Sequence, residues 1–397
     1  MNTEEDARMI GRRVRLFRRS QGKSLQVVAG LAGMSKSKLD RIERGEVALD
    51  RRSDIVALAN ALHVAASELI KVDDVSALGE REGEAVQAVR RALVAVSRHR
   101  PSGQVRGIEE LRSRVRTVLD AVNQCRAAEV GAALPLLIRD LHSSIAAGRD
   151  VAELLELAVM LHTKGTHSWL HTMGATVELR SLAALMARQA AEHRDEPTML
   201  GLAVWWDGLL LLADGDFELA RAELEAVTVP TNTPESMQLA GQLALGRSLV
   251  AAAEQRPADV EAALDYASEL AEHTGQGNAY WLGFGPTNVG IWRMAAALET
   301  GDHERAVAVA EGLDPRAHPN RDRQAAYWMD YGRALARLRG RQNDAVLALR
   351  RSEMLYAPRM QRNPFVREVL GELLVRARRD AVGRELRGMA YRAGLPV

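Results

Sequence analysis

The stretch from Ser24 to Gly45, SLQVVAGLAGMSKSKLDRIERG, constrains this chain more than any other. Counted from Leu25, it meets each requirement of two helices that cross at a sharp turn. The fifth position must be small where the helices touch, and it is Ala29. The ninth must accept a left-handed backbone, and it is Gly33. The fourth, eighth, tenth, fifteenth and eighteenth should be apolar, and they are Val28, Ala32, Met34, Leu39 and Ile42. Ser24 and Ser35 stand where N-caps would start the two helices. A helical hairpin of this spacing lays its second helix in the major groove of DNA. With Leu39 and Ile42 turned inward, Lys36, Ser37, Lys38, Asp40, Arg41 and Arg44 are left to face outward.

The charge pattern agrees. Between Arg8 and Arg52 there are thirteen Lys and Arg against four acids, whereas the whole chain nets only +1. A basic head on a near-neutral body suits a module that displaces counterions from DNA. A membrane-binding face fits poorly, because the apolar side of this segment is needed for its own core. At 397 residues the chain is too long for one small DNA-binding domain and should hold two or three domains. Ala, Leu, Val, Arg and Glu dominate and aromatics are 4%, a profile that predicts an all-α fold. Neither a membrane-spanning run nor a signal peptide is evident, and the single cysteine, Cys125, suits a reducing cytoplasm. Cys125 follows Leu119 and Val122 in a helical pattern and is expected to be a small buried residue.

From about residue 107 the chain repeats itself. Asp214-Gly215-Asp216-Phe217-Glu218-Leu219-Ala220 returns in kind as Thr300-Gly301-Asp302-His303-Glu304-Arg305-Ala306, and again as Arg339-Gly340-Arg341-Gln342-Asn343-Asp344-Ala345. Arg256-Pro257-Ala258-Asp259 fills a similar place between the first two. Each copy follows an apolar helix and starts another, the mark of an α-solenoid, with tetratricopeptide repeats as the nearest type. These patterns divide the chain into a five-helix helix-turn-helix domain (1–70), a partly helical connector (71–106) and a tetratricopeptide-like solenoid (107–397).

The segment from Ile10 to Ile70 resembles the phage repressor/Cro-like (XRE) family. The likeness is carried by Gly11-Arg12-Arg13-Val14-Arg15, Ser24, Ala29, Gly33-Met34-Ser35-Lys36-Ser37, Ile42-Glu43-Arg44-Gly45 and Leu58-Ala59-Asn60-Ala61-Leu62. The resemblance implies that Lys36, Ser37 and Arg41 face bases and that Ser35 and Arg44 lie near phosphates. It also implies that Glu43 pairs with Arg18. One place departs from the pattern: Leu25 stands where the family usually carries Gln, and Gln26 follows. The head-plus-solenoid arrangement resembles the peptide-responsive Rgg, PlcR and PrgX type of regulator. The closer likeness is to the actinobacterial set, through Trp281-Leu282-Gly283-Phe284-Gly285-Pro286-Thr287-Asn288 and the tail from Asn363 to Ala390. It implies transcription control, quorum sensing among the roles, through a peptide or small-molecule inducer; a homodimer is expected because one reading helix covers only a few base pairs.

Half of the sixteen aromatics fall between Tyr266 and Tyr331. Because solenoids bind on their concave surface, an inducer pocket lined by Trp206, Tyr280, Phe284, Asn288, Tyr327 and Asp330 is expected. Asn can donate to and accept from a peptide backbone at once, and aromatics add flat walls. His167 and His171 have the spacing of a metal pair, but no metalloprotease Glu follows and no Cys completes a set. No phosphate-binding glycine loop or nucleophile elbow occurs. The expectation is therefore a cytoplasmic, non-enzymatic DNA-binding regulator that needs no cofactor or metal. The Arg-rich tail from Arg376 to Arg392 is a candidate dimer contact. The alternative is an adaptor whose solenoid holds a partner protein.

Overall fold

The computed structural model describes residues 9–70, 80–377 and 380–397. Residues 71–79 of the expected connector, and 378 and 379 of the Arg-rich tail, lie outside the described residues. The described residues are helical almost throughout, with one isolated bridge between Gly277 and Phe284.

The head contains α1 (Ile10–Ser20), α2 (Leu25–Leu31), α3 (Lys36–Glu43), α4 (Arg52–Leu62) and α5 (Ala66–Ile70). Both capping serines act as their positions require: Ser24 accepts from the Val27 amide and Ser35 from the Lys38 amide. Gly33 takes φ +65°. Val28, Ala29, Leu39 and Ile42 are buried with Val14, Leu58 and Leu62, while Ala32 and Met34 pack at the edge of this core. Two contacts lock α1 onto α3. Arg18 grips the buried Glu43 with two hydrogen bonds, Nε to Oε1 at 2.6 Å and Nη2 to Oε2 at 2.7 Å. At Gly11 a Cβ would stand 2.0 Å from the Ile42 carbonyl oxygen, so the helices touch where only glycine fits.

The body begins with α6 (Glu80–Ser97), α7 (Ile108–Asn123) and α8 (Ala127–Ala146). The sequence pattern put residues 80–97 in a connector. Instead Val86, Val89, Leu93 and Val96 join the body's core, with α6 packed along α8. The extended link after α6 is tied to α8 by side chains. The Gly103 amide donates to Ser143, the Gln104 amide to Asp140 and the Arg106 amide to Ser144. Next, α9 (Val151–Met160) runs into a π-helical turn (Leu161–His167) and then α10 (Ser168–Thr172).

Helical hairpins follow: α11 (Val177–Arg194) with α12 (Pro197–Asp214), α13 (Phe217–Glu225) returning to α14 (Pro234–Ala253), then α15 (Pro257–Thr274), α16 (Pro286–Thr300) and α17 (His303–Glu311). The last elements are α18 (Arg321–Arg337), α19 (Gln342–Arg362), α20 (Pro364–Val375) and α21 (Ala381–Arg392). The repeated turns behave alike: Gly215 and Gly301 take positive φ, and Asp216 and Asp302 cap the next helix. The helices α12, α14, α16 and α18 pack on one another in order, each also holding the helix that follows it. This makes a stack of hairpins with one continuous inner wall. The stack curls until its ends meet, where Arg362 of α19 pairs with Glu82 of α6 and lies against Met173.

The head sits against α16, α18 and α20. Glu299, 2% exposed, accepts from the Arg52 amide and pairs with its guanidinium at 2.6 Å. The Ile10 amide donates to Glu368 at 2.6 Å and the Ala48 amide to Glu372 at 3.0 Å. Arg337 pairs with Asp50 at 2.8 Å, and Arg333 donates to the Asp50 carbonyl. Phe365 of α20 belongs to the head's core and carries Arg52 and Arg333 over its ring, while Met9 and Ala48 enter the body's core.

Candidate nucleic-acid interface and central cavity

Docking of the head leaves the outward face of α3 uncovered. Lys36, Ser37, Arg41 and Arg44 are exposed. Local acids hold the longer side chains: Arg44 pairs with Asp40 at 3.0 Å and with Glu46 at 3.2 Å, and Arg41 approaches Glu46 at 3.8 Å. Such exposed pairs are worth about 0–1 kcal/mol, so a phosphate or a base edge can replace them at small cost. Lys38 differs from the outward placement expected of it. Its Nζ turns back to Asp54 of α4 at 3.0 Å. Ser35 is engaged as the cap of α3.

The second site is a cavity of about 800 Å³ inside the curled stack. One side is closed by the head through Arg52, Ser67, Glu68 and Ile70. The opposite wall holds the π-helical turn, a single widened turn of the kind often found at functional sites. Every residue of that turn is buried despite the polar run His162-Thr163-Lys164-Gly165-Thr166-His167. Lys164 pairs with Asp322 of α18 at 3.0 Å, with both side chains about 5% exposed. Burial pushes His167 down to about 3, so its ring is neutral at pH 7. The ring packs edge-on against Trp206, 5.3 Å between centroids, and Trp206 in turn packs edge-on against Trp205. Trp292 completes an indole wall 6.2 Å from Trp205.

Of the six residues expected to line a ligand pocket, Trp206, Asn288 and Asp330 line this cavity. The other three lie elsewhere. Phe284 is 1% exposed and fills the space beside Gly241, where a Cβ would stand 2.0 Å from the ring. Tyr327 is buried on the far side of α18, its hydroxyl donating to the Ala310 carbonyl, in a cluster with Trp328 and Tyr331. Tyr280 sits in the short turn Ala279–Trp281 with φ +53°. In their place the cavity gathers residues that the aromatic pattern passed over: His167, Arg180, Gln242, Arg323 and Arg359. Gln242 had a signal, as an isolated polar residue within the apolar run of α14. Arg359 had none, because it reaches the cavity only after α19 breaks at Tyr356, before Pro358.

His162 meets His142 with Nε2 atoms 2.8 Å apart. Burial pushes His142 down to about 4. No group of three or more His, Cys, Asp or Glu side chains is placed to hold a metal among the described residues. Cys125 is partly buried with its thiol pushed up to about 12, chiefly by burial. No described helix is long and apolar enough to cross a membrane.

The architecture defines a helix-turn-helix head joined to a helical-hairpin body. Comparison with known proteins agrees for the head, since residues 10–69 match a family model described as a helix-turn-helix domain. No curated protein matches the chain. Among solved structures, the apo form of ComR from S. thermophilus is similar at 15% identity, covering 78% of this chain and 95% of ComR with a TM-score of 0.28.

Proposed function

We propose that this protein is a DNA-binding transcriptional regulator, reading DNA through α3 and controlled by a peptide or small molecule in the central cavity. The observation that carries the reading is the exposed basic face of α3 on a domain whose core and α1–α3 lock are complete. Lys36, Ser37 and Arg41 are assigned to base edges, Ser35 and Arg44 to phosphates, with Lys38 and Asp40 setting the local charge. One such helix covers only a few base pairs, so the working form is a homodimer on two half-sites about one DNA turn apart.

Ligand control is supported by the cavity's position. Its wall combines Arg52 and Glu68 of the head with Trp206, Asn288 and Asp330 of the body. A molecule held there touches both, and its occupancy biases how the head is held. The protein works in the cytoplasm and catalyses no reaction in this reading. Residues 1–70 form the reading domain, and the helices from α6 onward form the sensing and dimerising body.

The test is footprinting of the purified protein on genomic DNA fragments, its own upstream region included, across a salt series. A protected site with two related half-sites is expected. Weak binding that vanishes with salt and protects no site would overturn the reading.

A further inference from the structure

Buried polar atoms concentrate in one place. Thirteen buried side-chain nitrogen and oxygen atoms have no hydrogen-bond partner among the described residues, and nine of them belong to residues lining the central cavity. Native interiors rarely leave such atoms unpaired, because each then carries a desolvation cost that nothing offsets. Most of the nine are donors. They include Nε of Arg180, Nε of Arg359, Nδ2 of Asn288, Nε1 of Trp206 and one nitrogen of the neutral His167 ring. Asn288 is 1% exposed, His167 3% and Arg180 8%. The acceptors in the set are fewer: Oε1 of Gln242, Oδ1 of Asp322 and the other His167 nitrogen.

Charge points the same way. Lys164, Arg323 and Arg359 surround one carboxylate, that of Asp322. Arg323 donates to Asn288 rather than to an acid, and lies over the Trp292 ring. Burial, then repulsion from Arg359, pushes its guanidinium down to about 10, still charged at pH 7. Arg180 bonds a ring nitrogen of His171 at 3.1 Å, with Asp214 and Glu178 as the acids near it. Lys164, Arg180, Arg323 and Arg359 stand among nine Lys and Arg residues that line the cavity against five acids, Glu68, Glu178, Glu299, Asp322 and Asp330, which leaves an unbalanced positive wall. It stands beside the apolar wall of Trp205, Trp206 and Trp292. Unbalanced buried charge is costly, and an anion in this space would offset it.

We infer that the cavity binds a small organic acid, with its anionic group against Arg180, Arg323 and Arg359 and a flat apolar body against the three indoles. This deepens the reading of the cavity as the ligand site and rests on it. A peptide backbone presents donors and acceptors in equal number, which this donor-rich wall matches less well. At about 800 Å³ the cavity is within the range for small-molecule sites.

The experiment uses two fluorescent probes that differ by one anionic group. They are 8-anilino-1-naphthalenesulfonate and the neutral N-phenyl-1-naphthylamine, each titrated into the full-length protein. The sulfonate is expected to bind at least tenfold more tightly, with energy transfer from the cavity tryptophans. Arg359→Gln and Arg180→Gln should each weaken the sulfonate about tenfold and leave the neutral probe within twofold. Trp206→Leu should weaken both probes. Displacement on the unaltered protein guards against variants that fold poorly. There 1-naphthaleneacetate should displace the bound sulfonate at concentrations at least tenfold below 1-naphthaleneacetamide. Equal affinity for acid and amide, or arginine variants that bind the sulfonate as before, would overturn the anionic assignment. Binding of the neutral probe alone would do the same while leaving the cavity as a ligand site. If neither probe binds, both the acid assignment and the cavity reading fall.

Discussion

The outward face of α3 and the wall of the central cavity are both basic, yet they hold their charge in opposite ways. On α3 the cations come from nine consecutive residues, stand in water and pair loosely with Asp40 and Glu46. In the cavity they come from positions between 164 and 359, are largely stripped of water and outnumber the acids beside them. Exposed charge is cheap to maintain and suits a long polyanion bound through counterion release. Buried charge is expensive, and is retained where something specific compensates it. The first surface suits a large partner read by contact, the second a small one enclosed.

The two surfaces separate most sharply at the lock beneath α3. Glu43→Ala strands Arg18 without its bidentate partner and should cost the head about 3 kcal/mol. Denaturant unfolding followed by a head-specific probe should show that loss, with affinity for naphthalene probes in the cavity preserved. Parallel loss at both sites would mean that the two surfaces are not separable. Next come Lys36→Ala and Arg41→Ala. Either should weaken operator binding by about 1–3 kcal/mol if it reads a base, and should leave the melting temperature nearly unchanged. Anisotropy titration at fixed salt measures this, and unchanged affinity in both variants would remove α3 from the interface.

Glu299→Gln tests whether the two sites communicate. It keeps the shape at the Arg52 contact but removes a buried charge, so the head should dock more weakly. Cavity-ligand affinity and DNA affinity should then shift together, by about 1–3 kcal/mol. Independent behaviour would uncouple them.

Docking of the head also depends on pH. Burial pushes Glu368 up to about 7, even though the Ile10 and Leu49 amides favour its ionised form, and the neighbouring Asp50 pushes it up further. Arg13 and Arg337 are the cations that face it. The docked form therefore holds a proton that the undocked form gives up between its ordinary value of 4.5 and about 7. Docking is strongest below that window, weakens as pH rises through it at no more than about 1.4 kcal/mol per unit, and is flat above it. Thermal melts between pH 5 and 8 should show this slope, and Glu368→Gln should abolish it.

Much of the head was legible because its determinants are local. A small residue at 29, a left-handed turn at 33 and capping serines at 24 and 35 act over a few residues, where spacing translates directly into geometry. Even the Arg18–Glu43 pair lies only 25 residues apart. The repeat turns at Gly215-Asp216 and Gly301-Asp302 were equally plain. The cavity was half legible. Trp206, Asn288 and Asp330 lie on three of the long inner helices, α12, α16 and α18, where a solenoid is expected to line its concave face. Phe284 precedes α16 and Tyr327 lies one turn from Asp330 on α18, yet both pack away from the cavity, and composition could not tell a wall from a core.

The sequence by itself thus determined the all-helical class, the helix-turn-helix hairpin and the repeated turns that end one helix and start the next, since these follow from backbone conformation and side-chain period. Tertiary structure decided the rest. The curl of the stack brings Lys164 to Asp322 and Arg359 to Arg323, and the docking of the head closes the cavity with Arg52 and Glu68. Charge imbalance and unpaired donors arise only when residues more than a hundred positions apart lose water together, and desolvation of that kind belongs to packing rather than to any one stretch of chain.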